Sequence, residues 1–260
     1  MYQITVPIYA NIRKKYIKSL PPSLTAKSKL LEKIRVTANS TKFNKEITQE
    51  IQYAYENKKE LESYINESKL GFLLSIIEKT KNLDGDIIEL GTYKGGTTVL
   101  FAKYLSKNNI NKKIYACDTF SGFPYADRFS AENVLQSSGN VAKKEDLFKD
   151  TSLEYVKTKF EKFGVSTKII ILQGLFEDTL STLNHRFSLA MVDSDLYDSS
   201  KVAIEQIFPK MTKGDIMVFD DYDEENRNSP KWGQTKAVDD FVRSNNLKLF
   251  FGEMPYIVKN

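Results

Sequence analysis

The spacing of apolar residues along the chain changes character near residue 84. Before it, apolar residues recur at helical intervals: Ile47, Ile51 and Tyr55, then Leu61, Tyr64 and Ile65, then the dense run from Leu70 to Ile77. This spacing predicts helical structure over 23–36 and over 45–81. Met1 to Leu20 is short and mixed, closed by Pro21-Pro22. After residue 84, short apolar runs alternate with helical stretches. Strands are predicted at 86–90, 113–117, 168–172, 188–192 and 215–219, with 248–251 and 255–258 as a closing antiparallel pair. Helices are predicted between them at 97–105, 152–163, 177–183, 199–211 and 231–244. Strands alternating with helices at this interval call for a parallel sheet covered on both faces. The expected fold class is α/β, with a helical extension over 1–83 that caps the site or dimerises, and a core over 84–260.

In such sheets ligands sit beyond the carboxyl ends of the strands. The polar residues obey that geometry. The first strand ends in Glu89 and Gly91, the second in Asp118, the fourth in Asp193 and the fifth in Asp220-Asp221. Acidic side chains from several strand ends are therefore expected to converge on one crevice.

Composition removes several classes. Of 260 residues 41% are hydrophobic, enough for a full core, yet no run approaches the roughly 18 apolar residues of a membrane span. The first twelve residues lack the basic-then-apolar pattern of a secretory signal. A single cysteine, Cys117, excludes an internal disulfide and suits a reducing cytoplasm. The net charge of +4 is mild, and Arg13-Lys14-Lys15 and Lys112-Lys113 are too short and too free of aromatics for a nucleic-acid groove.

The first strand end reads Glu89-Leu90-Gly91-Thr92-Tyr93-Lys94-Gly95-Gly96. Glycine there lets backbone approach a ligand and turn into a helix. The spacing is G-x-x-x-G-G, not the G-x-G-x-x-G of a dinucleotide site, and suits a nucleoside whose amino-acid tail crosses the glycines. Asp118 lies 27 positions after Gly91, where an acidic residue can accept ribose hydroxyls. The alternative for each is plain: a tight turn, and a loop cap ahead of Thr119-Phe120-Ser121-Gly122-Phe123-Pro124.

Asp193-Ser194-Asp195 and Asp220-Asp221 form the strongest constellation. Carboxylates on adjacent strand ends repel unless protons or a cation neutralise them. An oxygen-rich cluster suits Mg²⁺, Ca²⁺ or Mn²⁺; one cysteine and a lone His185 argue against zinc. Two separate helix caps are the competing explanation. His185 has no acidic partner in a motif and reads as a surface or capping residue, Trp232 as a packing anchor and Cys117 as buried and inert.

Taken in order, the glycine turn, Asp118-Thr119-Phe120-Ser121-Gly122-Phe123-Pro124, Asp193-Ser194-Asp195-Leu196-Tyr197 and Asp220-Asp221-Tyr222 resemble the macrocin O-methyltransferase family over about 84–242. The resemblance implies a Rossmann-like class I methyltransferase with a mostly parallel seven-stranded sheet, S-adenosylmethionine and Mg²⁺ or another divalent cation. By position it implies that Glu89, Gly91, Thr92 and Gly95 line the methionine side of the cofactor, that Asp118 and Thr119 take the ribose, and that Phe176, Glu177 and Asp178 meet the adenine. Asp193, Asp220 and Asp221 would ligate the metal, Asp193 also facing the cofactor, and Asp193 or Asp195 would accept the proton. Residues 126–150 would form part of a lid over the acceptor. A sugar hydroxyl in a small molecule or glycan, no nucleic acid, no membrane insertion, a homodimer and a cytoplasmic location complete the expectation. A catechol or phenol acceptor is the runner-up within the class. A metal-dependent glycosyltransferase, which shares the Asp-x-Asp pattern, is the runner-up outside it; an NAD-dependent oxidoreductase and a scaffold protein explain fewer of these residues.

Overall fold

The structure, a computed structural model, describes residues 43–124, 133–135, 141–143, 147–225, 227 and 233–260. The expected helix at 23–36 and Trp232 lie outside them.

The helical stretch expected over 45–81 consists of three helices: α1 (Lys45–Glu56), α2 (Lys58–Leu61) and α3 (Glu67–Thr80). Asn57 caps the carboxyl end of α1, Glu62 takes a left-handed φ of 52° after α2, and the Asn66 side chain accepts the Lys69 N–H at 2.9 Å to start α3. Asparagine favours caps because its amide competes for backbone partners. Apolar spacing alone is blind to these breaks, which realign a continuing apolar face rather than end it.

The sheet runs β5 (Ile169–Gln173), β2 (Ile114–Asp118), β1 (Asp86–Leu90), β6 (Phe187–Val192), β7 (Ile216–Phe219), β9 (Pro255–Val258), β8 (Phe250–Phe251). The first five are mutually parallel, and β9 pairs antiparallel with both β7 and β8. Helices α4 (Gly96–Lys107), α5 (Leu153–Lys162), α6 (Phe176–Thr179), α7 (Tyr197–Ile207) and α8 (Gln234–Ser244) connect them. Strand β8 is shorter than the 248–251 expected, and the helix expected over 199–211 starts earlier and ends as a 3₁₀ turn at Phe208–Lys210, where Pro209 cannot donate. A separate hairpin, β3 (Asn133–Leu135) with β4 (Val141–Lys143), falls in the expected lid segment.

Strand alternation divides the interior into two layers. Ile87, Ile114, Ala116, Leu189 and Met191 face α1, α3, α4 and α5, while Ile88, Cys117, Ala190, Val192 and Met217 face α6, α7 and α8. Central strands β1 and β6 are buried on both faces, which is why they read as unbroken apolar runs. The described part of the helical extension supplies Ile51, Leu70, Leu73, Leu74 and Ile77 to the first layer, so α3 is fixed against the sheet. Among the described residues no helix is long and apolar enough to cross a membrane.

Candidate active site

The order of winding reverses between β1 and β6, and the carboxyl ends of these strands open on a cavity of about 880 Å³. Gly91 follows β1 with φ 105°, and a Cβ there would lie 1.8 Å from the Asp193 carbonyl oxygen. Its N–H donates to the Cys117 carbonyl at 2.9 Å, and the Asp193 N–H donates to the Leu90 carbonyl at 2.8 Å. The ends of β2, β1 and β6 thus close onto one another through a residue that has to be glycine.

Glu89, Thr92, Asp118, Thr119, Phe176, Glu177, Asp193, Asp195, Asp220 and Asp221 all line this cavity. Thr92 is 5% exposed and its Oγ1 has no hydrogen-bond partner among the described residues, a costly state that a bound ligand would relieve. Glu89 is buried and accepts a hydrogen bond from the Thr98 hydroxyl. Burial pushes its carboxyl up to about 8, against that hydrogen bond and with help from nearby Asp118. Asp118 accepts the Tyr93 N–H at 2.7 Å and the Phe120 N–H at 2.8 Å, tying the glycine turn to the loop after β2. Burial raises its pKa while these bonds oppose the rise. A carboxylate has about four lone-pair sites, so two backbone donors leave room for ribose hydroxyls. Gly95 lies elsewhere: it precedes α4 with the Phe160 ring 2.6 Å from where its Cβ would be, and Gly96, not Gly95, lines the cavity. Asp178 is likewise not at the wall.

One oxygen from each of Asp193, Asp220 and Asp221 lies within 4.8 Å of the others. Burial drives the Asp193 carboxyl well above the usual carboxylate range, reinforced by Asp220, Asp221 and Asp195. Burial also lifts Asp221 up to about 7, with Asp220 adding to the rise and Lys69 resisting it. Converging, mutually repelling carboxylates with an all-oxygen donor set fit a hard divalent cation. Asp195, at a left-handed φ of 56°, directs its N–H to Asp221 Oδ2 at 3.3 Å.

Two residues at this site carry no motif. Lys69 Nζ donates to Asp220 Oδ1 at 2.9 Å and to the Asp220 carbonyl at 3.1 Å. Gln234, fully buried at the start of α8, accepts the Asp221 N–H at 2.9 Å and donates from Nε2 to the Val192 carbonyl at 3.2 Å, while its own N–H donates to the Asp195 carbonyl at 2.9 Å. The only sequence signal was periodicity: Lys69 shares the helical stripe of Leu73, Ile76 and Thr80, all buried.

At the mouth, Glu62 gathers Lys159 Nζ at 2.8 Å, Lys94 Nζ at 3.2 Å and the Tyr155 hydroxyl. Lys94 also pairs with Asp150 at 2.7 Å, and the rings of Tyr64, Tyr93, Phe148 and Phe123 follow one another with centroids 5.0–6.0 Å apart. Burial works to raise the Glu62 carboxyl, but the hydrogen bonds from Lys159, Tyr155 and Lys94 and the Lys159 charge hold it down at about 2. A carboxyl depressed on folding contributes stability above its unfolded value of about 4.3 and loses it as pH falls toward the folded value. Glu62→Gln is expected to cost about 1 kcal/mol at pH 7, discounted for solvent screening. Urea denaturation at several pH values should show the difference from wild type shrinking between about pH 4.5 and 2. A constant difference across that range would show that the ion pairs are not its source.

His185, which has no acidic partner in a sequence motif, finds one in the fold: its Nε2 lies 2.8 Å from Asp86 Oδ2, and its ring packs against Tyr115 and Phe187. Asp86 begins β1, so the pair sits at the opposite end of the sheet from the cavity and is unconnected with it. Cys117 is fully buried within β2.

A family model described as macrocin-O-methyltransferase (TylF) matches residues 10–252. Similar proteins include an 8-demethyl-8-(2,3-dimethoxy-alpha-L-rhamnosyl)-tetracenomycin-C 4'-O-methyltransferase of Streptomyces olivaceus, 27% identical over 146 residues, 53% of each chain. A demethyldecarbamoylnovobiocin O-methyltransferase of Streptomyces niveus is 25% identical over 146 residues, 54% of each chain. The chain thus spans about half the length of these relatives. Among solved structures, the O-methyltransferase NovP superposes with TM-score 0.64 at 21% identity, over 76% of this chain and 82% of that one. The calicheamicin methyltransferase CalS11 gives 0.57 at 21% identity, over 83% and 93%. Both share the fold.

Proposed function

The chain belongs to the macrocin-O-methyltransferase family, and from that premise we propose that it transfers the methyl group of S-adenosylmethionine to a sugar hydroxyl with the aid of a divalent cation, most simply Mg²⁺. The observation that carries this reading is the convergence of Asp193, Asp220 and Asp221 in the same cavity as the Gly91 turn and the orphaned Thr92 hydroxyl. Two ligands of different chemistry are called for there: one extended along the strand ends, one a hard cation.

The bound groups would supply an electrophilic methyl carbon and a positive charge that stabilises an oxygen anion. The chain supplies the rest. Glu89, Gly91 and Thr92 would receive the amino-acid end of the cofactor, Asp118 and Thr119 the ribose, and Phe176 and Glu177 the base. Asp193, Asp220 and Asp221 would hold the ion. Asp193 or Asp195 would take the hydroxyl proton of the acceptor. Holding acceptor oxygen, methyl carbon and leaving sulfur in line is where such a site gains most of its rate, and Gln234 keeps the loops that carry Asp195 and Asp221 in register for it.

The sugar acceptor is supported by the relatives, whose names place methyl groups on a rhamnosyl tetracenomycin and, for CalS11, on TDP-rhamnose. The lid role of the hairpin segment is supported by Leu147, Phe148, Lys149 and Asp150 at the cavity wall. A cytoplasmic setting rests on the single cysteine, and a homodimer assembled through the helical extension on the family resemblance.

Calorimetry with S-adenosylhomocysteine, with and without Mg²⁺, tests the reading first. A Kd in the micromolar range, about −8 kcal/mol, is expected. An absence of heat in both conditions would remove the methyltransferase reading.

A further inference from the structure

Ionised around a bound cation, the carboxylate triad would carry three negative charges, of which a divalent ion leaves one uncompensated. The structure stations Lys69 beside it. Its position is not a matter of chance contact: Asn66 caps the first turn of α3 at the Lys69 N–H itself, and Leu70, Leu73, Leu74 and Ile77, all 1% exposed or less, lock the helix to the sheet. From that anchored turn Nζ reaches 151 residues along the chain to grip both the side chain and the carbonyl of Asp220. Taking Oδ1 leaves the other oxygen of that carboxylate for an ion.

We propose that Lys69 sets the charge of the metal site, so that a dication, rather than an ion of higher charge, completes it. This rests on the metal reading above. With Lys69 the triad sums to −2 and a divalent ion makes it neutral. Without Lys69 the triad sums to −3, which attracts every cation more strongly and a trivalent cation most of all. The residue thus exchanges raw affinity for charge selectivity and an exchangeable ion.

Titration of the full chain with MnCl₂ and with TbCl₃, followed by calorimetry and Tb³⁺ luminescence, tests this without any turnover measurement. Lys69→Met is expected to bind Mn²⁺ about tenfold more tightly and Tb³⁺ about thirtyfold, since the lost repulsion scales with ion charge and is damped by partial solvent exposure. Lys69→Gln should behave as Lys69→Met does, and Lys69→Arg should return both affinities toward wild type. If Lys69 merely braces α3, Mn²⁺ and Tb³⁺ affinities of Lys69→Met will be unchanged or will fall together with its Tm; that result overturns the proposal and leaves the metal reading standing. Wild-type protein that binds neither ion overturns both.

Discussion

Asp193→Asn is expected to lose methyl transfer by about 10³-fold or more while binding S-adenosylhomocysteine within a fewfold of wild type. Asp193 is proposed to serve both the cofactor and the ion: it follows β6, its N–H donates to the Leu90 carbonyl and its side chain meets Asp220 and Asp221. Its substitution removes an ion ligand and a candidate proton acceptor together. The residues proposed to receive the cofactor remain in place: Glu89 on β1, Thr92 in the turn after it and Asp118 at the end of β2. The same change relieves like-charge repulsion in the metal-free protein. Its Tm without added metal should therefore rise by about 2–4 °C, for about 1 kcal/mol. Added Mn²⁺, which stabilises only what binds it, should raise the wild-type Tm and leave the variant's flat. Asp195→Asn separates the two roles: it spares the triad, so it should keep the Mn²⁺ response and lose rate only if Asp195 takes the proton. Normal turnover by Asp193→Asn would remove both assignments for that residue.

Much of this site was legible in the sequence because its chemistry sits at strand ends. Asp118, Asp193 and Asp220-Asp221 each close an apolar run, and a parallel sheet brings such ends to one edge whatever the connecting loops do. The strands β1, β2, β6 and β7 are visible for the same reason, being short buried apolar runs between helical stretches, and the edge strand β5, though partly exposed, is as apolar in sequence. What escaped was set by tertiary packing. The breaks at Asn57 and Glu62–Asn66 preserve the apolar stripe across α1, α2 and α3, so periodicity ran through them. Lys69 and Gln234 belong to no motif; they matter because distant segments happen to abut there, 151 residues apart in one case. The resemblance implies one role for Gly91 and Gly95, yet the two face different neighbours, the Asp193 carbonyl and Phe160 respectively. His185 found Asp86 across 99 residues, a partner no local pattern announces.

Gly91→Ala should be the most damaging glycine-to-alanine change among the described residues. Two costs combine at that position. A residue with a Cβ is strained at φ 105°, by about 1–3 kcal/mol. The new methyl would also lie 1.8 Å from the Asp193 carbonyl oxygen, a distance no rotamer can relieve because both groups are backbone-borne. The strand ends must part, and the Gly91 N–H to Cys117 and Asp193 N–H to Leu90 bonds lengthen with them. A loss of about 4 kcal/mol is expected, or roughly 10 °C in Tm. S-adenosylhomocysteine affinity should fall by about 100-fold, since Glu89 and Thr92 on one side and Asp193 on the other move apart; each 1.4 kcal/mol is tenfold. Gly164→Ala supplies the control, because Gly164 has a φ of 67° with nothing within 4 Å of its Cβ position. It should cost about 1 kcal/mol from strain alone and leave ligand affinity untouched. If the two variants lose equal stability, the collision at β1 and β6 is relieved by backbone movement elsewhere. If Gly91→Ala keeps full affinity, the closure of those strand ends is not what shapes the cofactor site.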